Sequence, residues 1–205
     1  MYRVITISRE YGSGGASIAR VLASRLGWKL VDDELVAEIA HKANVAPQVA
    51  RHYDEACDPW FQRLLKALWR GGFEGAASRV DTDPFDAGAM ARLWNGLIME
   101  SAEIGNCVIV GRGSAYFLRD RADAYHVFIY APFDEKIRRE RRAGRSAAEA
   151  SQLVETVDRE RAAFIKKYFD KEWPDRQLYH LMINSELGDE RVVQTILAGI
   201  ATLEN

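Results

Sequence analysis

The N-terminal segment places a short apolar strand directly before a glycine-rich loop and an amphipathic helix. The β-branched run Val4-Ile5-Thr6-Ile7 is typical of a buried strand. The cluster Gly12-Ser13-Gly14-Gly15 follows it. Ile18, Leu22 and Leu26 then recur at the spacing of one helix face. Because these three parts are contiguous, they predict the first strand–loop–helix unit of an α/β protein.

Later apolar segments extend this unit into a sheet. Residues 108–110, 127–130 and 181–183 are short and continuously apolar, as expected of parallel strands that are buried on both faces. Residues 29–31 indicate a further short strand, and residues 192–203 form a final amphipathic helix. A chain of 205 residues in this alternating order predicts a single doubly wound α/β domain.

Two stretches do not follow the alternation of strands and helices. Residues 44–106 contain aromatic and aliphatic side chains at helical spacing and no clear strand, which favours a helical insertion that covers a substrate. Residues 136–171 are rich in arginine and predict a helix–turn–helix arm that turns near Gly144. Acceptor identity and oligomeric state cannot be predicted from these stretches.

Composition and charge exclude several classes of function. The net charge of −2 gives no overall attraction to nucleic acid or to an acidic membrane. No apolar run reaches the ~20 residues needed to span a bilayer. The two cysteines lack CxxC spacing, and no signal segment opens the chain, so we expect a reduced, cytoplasmic protein. The four histidines lack zinc-binding spacing, and neither GxSxG nor GxGxxG is present.

The glycine loop is a candidate phosphate-binding site. Backbone N–H groups can converge on an anion between a strand and the N-terminus of a helix. The usual Walker A pattern is GxxxxGK(S/T), but here Arg9 replaces the first glycine and Gly15 replaces the lysine. Ser17 could offer a hydroxyl to Mg²⁺. The alternative is a tight turn whose glycines only permit close packing.

The loop Ser8-Arg9-Glu10-Tyr11-Gly12-Ser13-Gly14-Gly15 resembles that of the cytidylate kinase-like branch of the P-loop nucleoside monophosphate kinases. Residues 108–114, 126–132 and 179–184 are similar to later segments of the same family, in the same order. The resemblance implies a three-layer P-loop fold with a five-stranded parallel sheet, a helical insertion that closes on the nucleoside monophosphate, and an arginine-bearing lid. It also implies ATP and Mg²⁺ as cofactors, nucleotides as binding partners, and CMP or dCMP as the first acceptor to consider.

The resemblance implies roles for individual loop residues. Arg112 lies between two glycines after a predicted strand and matches the arginine that grips the acceptor's phosphate; a solvated loop arginine is the alternative. Ser114 is a neighbouring candidate for substrate binding. Asp32 and Asp33 could contact the acceptor's sugar or a water on Mg²⁺, although N-capping of the next helix explains them equally well. The donor nucleotide would bind at Arg9, Gly12, Ser13, Gly14, Gly15, Ala16 and Ser17, with Ser17 also a metal ligand.

The arm supplies the remaining candidates. We expect at least one of Arg138, Arg139 and Arg142 to contact phosphate, although most arginine clusters are only a solvated helix face. Asp158 and Arg161 are spaced i, i+3, which suits an intrahelical ion pair worth ~0.3 kcal/mol. In cytidylate kinase relatives the same spacing touches the nucleotides, so the resemblance implies a substrate-binding role for Asp158 and a catalytic role for Arg161.

Two departures from the family pattern leave the activity open. The lysine that normally holds the β- and γ-phosphates is absent, and we hypothesise that Arg9 or an arm arginine supplies its charge. Val110 stands where the Walker B acid would be. The leading hypothesis is ATP-dependent phosphoryl transfer to a nucleoside monophosphate. The alternatives are a nucleotide-binding regulatory protein with weak or no catalysis, and a kinase for another small molecule.

Overall fold

The computed structural model describes residues 1–32, 98–99 and 101–204. Its strands are β1 (Val4–Arg9), β2 (Lys29–Val31), β3 (Cys107–Val110), β4 (Ala124–Tyr130) and β5 (Leu181–Asn184). They form one parallel sheet in the order β2-β3-β1-β4-β5. This confirms the predicted five-stranded parallel α/β sheet for the described part of the chain.

Helices connect the strands and cover the sheet. They are α1 (Gly15–Leu26), α2 (Ser114–Phe117), α3 (Phe133–Arg142), α4 (Ala147–Phe169) and α5 (Asp189–Leu203), with a 3-10 turn at Ser185–Leu187. Gly27 ends α1 with φ +64°, a left-handed conformation that glycine adopts without steric cost. Ser146 caps α4 and exchanges hydrogen bonds with Glu149 in a capping box.

The core has a layer on each face of the sheet. On one face, Ile18 of α1 and Val192 and Ile196 of α5 are fully buried against the strands. Phe128 of β4 points the other way, into a second cluster with Ala115 and Tyr179. Residues of a strand alternate between faces, so the continuously apolar strands of the sequence are explained by apolar packing on both sides.

The parallel arrangement decides where a site can form. The carboxyl ends of β1, β3, β4 and β5 lie at the same edge of the sheet, because all neighbouring strands pair in parallel. The loops that follow these strands therefore meet at one edge, which is where open α/β sheets bind ligands. The glycine loop follows β1 at the centre of this edge.

Part of the sequence-based interpretation lies outside the described residues. The chain divides into two units, residues 1–31 with 98–205 and residues 32–97, and the description covers almost only the first. Asp33 and most of the predicted insertion at 44–106 fall outside it. The single-domain organisation therefore stays a prediction. In the described ranges, no helix has both the length and the apolar character needed to cross a bilayer.

His126 is a polar side chain placed inside the sheet. It is 1% exposed, and its Nδ1 lies 2.7 Å from Oγ1 of Thr6, its partner on the neighbouring strand. Its backbone N–H donates to Nδ1 of His180, whose ring lies alongside. Burial, assisted by the nearby His180, lowers the pKa of His126 from 6.5 to about 4. β4 begins at Ala124, before the predicted Val127, and this histidine lies within the strand.

We expect His126 to make stability depend on pH in the acidic range. The unfolded chain takes up the proton near its ordinary pKa, whereas the folded chain resists protonation until the pH reaches about 4. The contribution of His126 is therefore complete above the ordinary pKa and falls by about 3 kcal/mol as the pH drops to the folded value. Urea denaturation across this range should show a slope that His126→Gln reduces by nearly one proton. Parallel curves for both proteins would contradict the assignment.

Candidate active site

The glycine loop, residues 10–14, ends at the N-terminus of α1. Gly12 and Gly14 adopt φ values of +73° and +78°, a region that L side chains rarely enter. In the described part of the chain, the backbone N–H groups of Gly12 and of residues 14–17 meet no hydrogen-bond acceptor. Unpaired N–H groups at a helix N-terminus are suited to an anion. The loop therefore fits the polyphosphate of a nucleotide.

The side chain of Arg9 explains why the loop has no lysine. A Cβ atom added to Gly15 would lie 2.6 Å from Cβ and 2.8 Å from Cγ of Arg9. No real Cβ tolerates such distances, so a side chain at residue 15 and one at residue 9 exclude each other. The two departures from the Walker A pattern are thus linked, because Arg9 packs where a side chain at residue 15 would lie. The Arg9 guanidinium continues towards Gly111 at the end of β3.

Two cations from α3 lie against the loop. Cβ of Lys136 would be 3.0 Å from a Cβ on Gly12, so the two backbones approach closely. The guanidinium of Arg139 lies against Gly14, where it would collide with any side chain. Arg139 is held there by the Glu135 and Asp189 carboxylates, which accept at 3.2 Å, and by the backbone carbonyl of residue 185 at 3.0 Å. The positive charge on this side of the loop is therefore carried by side chains of α3, whereas a Walker A lysine would lie on α1.

Helix α4 fastens the other side of the loop. Oδ1 of Asp158 accepts from the backbone N–H of Tyr11 at 2.7 Å and from Nη1 of Arg161 at 3.1 Å. Nη1 of Arg161 also donates to the backbone carbonyl of Arg9 at 3.0 Å. The predicted pair is therefore more than an intrahelical ion pair, because both residues bind the backbone of the loop.

Tyr11 anchors the loop in the predicted arm, whose two helices are α3 and α4. Its ring is 8% exposed and packs with Val154 and Val157 of α4. Its hydroxyl donates to Oε2 of Glu140 at 3.1 Å, and the Arg161 guanidinium lies 6.0 Å from its ring centroid. An aromatic side chain at this position ties the glycine loop to both helices of the arm.

Arg112 occupies a strained turn at the end of β3. Gly111, Arg112 and Gly113 have φ values of +72°, +57° and +72°, so an arginine adopts a conformation that favours glycine. A Cβ on Gly113 would lie 2.9 Å from the ring of Phe169, which means that the end of α4 packs directly on this turn. Backbone strain of this kind concentrates at functional sites. The turn supports the predicted role of Arg112, which stays a prediction.

The remaining predicted residues are not all brought to the loop. Arg138 is 55% exposed and pairs with Glu135 at 3.0 Å, and Arg142 is exposed. Ser114 is fully buried at the start of α2, and Asp32 is buried directly after β2. Of the three arm arginines considered, Arg139 is the one that contacts the glycine loop.

The structure gives little support for a metal ligand at Ser17. The hydroxyl of a GxxxxGK(S/T) loop belongs at the position that Ala16 occupies, and Ser17 lies one residue, or about 100° of helical rotation, further on. Ser17 is exposed. Across residues 1–32, 98–99 and 101–204, no three His, Cys, Asp or Glu side chains cluster as a metal site. The role of Ser17 as a Mg²⁺ ligand therefore stays a prediction.

Comparison with known proteins agrees with this geometry. The model of the cytidylate kinase-like family matches residues 4–187. The chain belongs to this family. A curated relative, the cytidylate kinase of Ignicoccus hospitalis, is 27% identical over 197 residues, which cover 94% of this chain and 96% of the relative. The family and the parallel sheet identify a P-loop phosphotransferase fold that binds nucleotides.

Solved structures show the same fold. An uncharacterized protein from Eubacterium ventriosum superposes with a TM-score of 0.64 at 22% identity, covering 97% of this chain and 99% of that one. Shikimate kinase from Acinetobacter baumannii, in complex with shikimate, has a TM-score of 0.55 at 18% identity, with 98% and 94% coverage. These likenesses concern the fold alone, and one fold can serve kinases with different acceptors.

Sequence reasoning missed several residues that the fold brings to the loop. Lys136 and Glu10 form an ion pair of 3.1 Å, although they are 126 positions apart. Ser185 donates to the backbone carbonyl of Ser13 at 2.6 Å. Lys136 is the lone lysine in the arginine-rich segment FDEKIRRERR, which is the one signal that could have singled it out.

The packing of Arg9 against Gly15 can be tested by restoring the lysine. We expect Gly15→Lys alone to destabilise the protein by about 1–3 kcal/mol because the new side chain overlaps Arg9. Combining it with Arg9→Gly should recover about 1 kcal/mol relative to the sum of the single changes. Urea denaturation of the four proteins measures this coupling. Ser24→Lys, at an exposed position of α1, is the control. Additive effects would contradict the packing argument.

Proposed function

We propose that this protein transfers the γ-phosphoryl group of ATP to a nucleoside monophosphate, with CMP or dCMP as the preferred acceptor. The observation that carries the proposal is the row of N–H groups in the glycine loop that meet no acceptor among the described residues, flanked by Lys136 and Arg139. The family and its curated cytidylate kinase member support the choice of acceptor.

The glycine loop would bind the donor. The N–H groups of Gly12 and of residues 14–17 are available to phosphate oxygens, and the partial positive charge at the start of α1 adds to their attraction. Arg139 would neutralise charge beside Gly14, since its guanidinium already lies there. ATP supplies the phosphoryl group, and Mg²⁺ neutralises part of its charge when bound.

The turn after β3 would bind the acceptor. Arg112 is at the carboxyl end of a strand next to β1, so acceptor and donor phosphates would meet at the same edge of the sheet. A guanidinium forms two parallel hydrogen bonds to phosphate, which fixes the direction of the acceptor oxygen. The Arg9 guanidinium, adjacent to Gly111, lies between the two loops and could stabilise the charge of the group in transfer.

Phosphoryl transfer needs positioning and charge rather than a covalent intermediate on the protein. The described residues offer both. Asp158 and Arg161 fix the backbone of the glycine loop, and Tyr11 joins it to the arm. Closure of the arm and exclusion of water would then accompany donor binding.

A nucleotide-binding regulatory protein is the second candidate. Gly15 removes the lysine that normally contacts the β- and γ-phosphates, so binding could persist while catalysis is weak. This candidate predicts nucleotide affinity without turnover.

Acceptor-dependent formation of ADP tests the proposal. We expect ATP and Mg²⁺ to phosphorylate CMP or dCMP in a coupled assay, with lower kcat/KM for AMP, GMP, UMP and shikimate. Calorimetric titration with ATP and with CMP should accompany the assay. Binding without turnover for any acceptor would favour the regulatory protein, and turnover of a non-nucleotide acceptor alone would assign a different kinase.

The role of Arg112 can be tested by Arg112→Lys. This substitution keeps a non-glycine residue at the positive φ and keeps the positive charge, but it removes the guanidinium that forms two parallel hydrogen bonds. We expect KM for the acceptor to rise about 10- to 100-fold, because a charge-assisted hydrogen bond is weakened by about 1.5–3 kcal/mol. KM for ATP should stay nearly constant. Arg119→Lys, an exposed substitution after α2, is the matched control. Equal changes in both KM values would argue against acceptor binding by Arg112.

A further inference from the structure

We propose that Lys136 of α3 replaces the missing lysine of the glycine loop and donates directly to the β- and γ-phosphates of the donor nucleotide. This inference rests on the proposed function. It names the source of the positive charge that the packing of Arg9 against Gly15 excludes from α1.

The backbone geometry brings Lys136 to the loop. A Cβ on Gly12 would lie 3.0 Å from Cβ, 3.2 Å from the carbonyl oxygen and 3.3 Å from Cα of Lys136. The contact therefore involves the main chain of α3 and does not depend on a flexible side chain. Gly12 has φ +73°, so both its conformation and its surroundings require glycine. The stem of the lysine starts directly above the loop.

The ammonium group is held beside the loop by two carboxylates. Nζ of Lys136 lies 3.1 Å from Oε2 of Glu10 and 3.3 Å from Oδ2 of Asp158, and the side chain is 10% exposed. The other oxygen of Asp158 accepts from the Tyr11 N–H. An ammonium has three N–H donors, so one remains available after these two bonds. The carboxylates orient Nζ while leaving a proton for an incoming phosphate.

The other cations near the loop are less suited to this role. Three of the five N–H groups of Arg139 donate to Glu135, Asp189 and the carbonyl of residue 185, which fixes its guanidinium beside Gly14 rather than at the centre of the loop. The Arg9 guanidinium lies at Gly111, on the β3 side of the loop. Lys136 is the cation whose main chain touches the glycine at the centre of the loop.

A lysine on α3 would make donor binding depend on a different part of the protein than a lysine on α1 does. A lysine on α1 is part of the loop whether or not the arm is closed. Lys136 belongs to the arm, and Asp158 and Tyr11 link the arm to the loop. Donor binding would therefore depend on the position of the arm.

The experiment compares ATP with AMP, which lacks the β- and γ-phosphates, by calorimetry on the full chain. We expect Lys136→Met to weaken ATP binding about tenfold or more and to change AMP binding less than about twofold. Lys136→Gln serves as a second variant if Lys136→Met does not fold. Lys171→Met, an exposed change just beyond α4, should leave both affinities unaltered.

Removing Lys136 also leaves two carboxylates uncompensated, which would repel an anion without any direct contact. The comparison is therefore repeated in a Glu10→Gln/Asp158→Asn background. A direct contact predicts that loss of the lysine still weakens ATP binding about tenfold there. If it has no effect in this background, Lys136 only neutralises the carboxylates and the inference is overturned. It is also overturned if the wild-type protein does not bind ATP, or if both affinities fall equally.

Failure of the Lys136 inference and failure of the proposed kinase activity give different results. Lysine-dependent ATP binding without phosphorylation of any nucleoside monophosphate would support the inference and reject the proposed activity. Phosphorylation of CMP with unchanged ATP affinity in Lys136→Met and Lys136→Gln would do the reverse.

Discussion

The packing of the Arg9 stem into the space beside Gly15 is the constraint on which the site depends. A loop lysine would normally project from residue 15, but its Cβ would lie 2.6 Å from Cβ of Arg9, so the two side chains cannot coexist. The loop N–H groups meet no acceptor among the residues that the structure describes, and the positive charge beside them comes from other elements. Lys136 and Arg139 of α3 are two cations that the fold brings to it, and Arg161 of α4 lies at its other side.

This arrangement joins elements that are distant in the chain. Tyr11 is buried among arm residues, Asp158 and Arg161 bind the loop backbone, and Phe169 packs on the turn that holds Arg112. One helix, α4, thus contacts both loops of the site. If the glycine loop binds phosphate as proposed, the arm would help to form that site in addition to any role in covering it.

Local patterns were enough to predict the sheet and the glycine loop, because strand, glycine cluster and helix follow one another in sequence. They were less informative about His126, since a polar residue interrupts the apolar run that marks β4. The ion pairs of Lys136 with Glu10 and Asp158 could not be predicted, because they link residues that only the fold brings together. The sequence pattern gave no reason to choose among the arm arginines. Only the structure distinguishes Arg139, which contacts Gly14, from the exposed Arg138.

The turn at residues 111–113 has a consequence for how this protein can change. A non-glycine residue in the left-handed region costs roughly 1–2 kcal/mol, which a third consecutive glycine would relieve. A substitution of Arg112 by glycine would therefore stabilise the fold while removing the guanidinium from this turn. The turn therefore carries a cationic side chain at a cost in thermal stability that glycine would not incur.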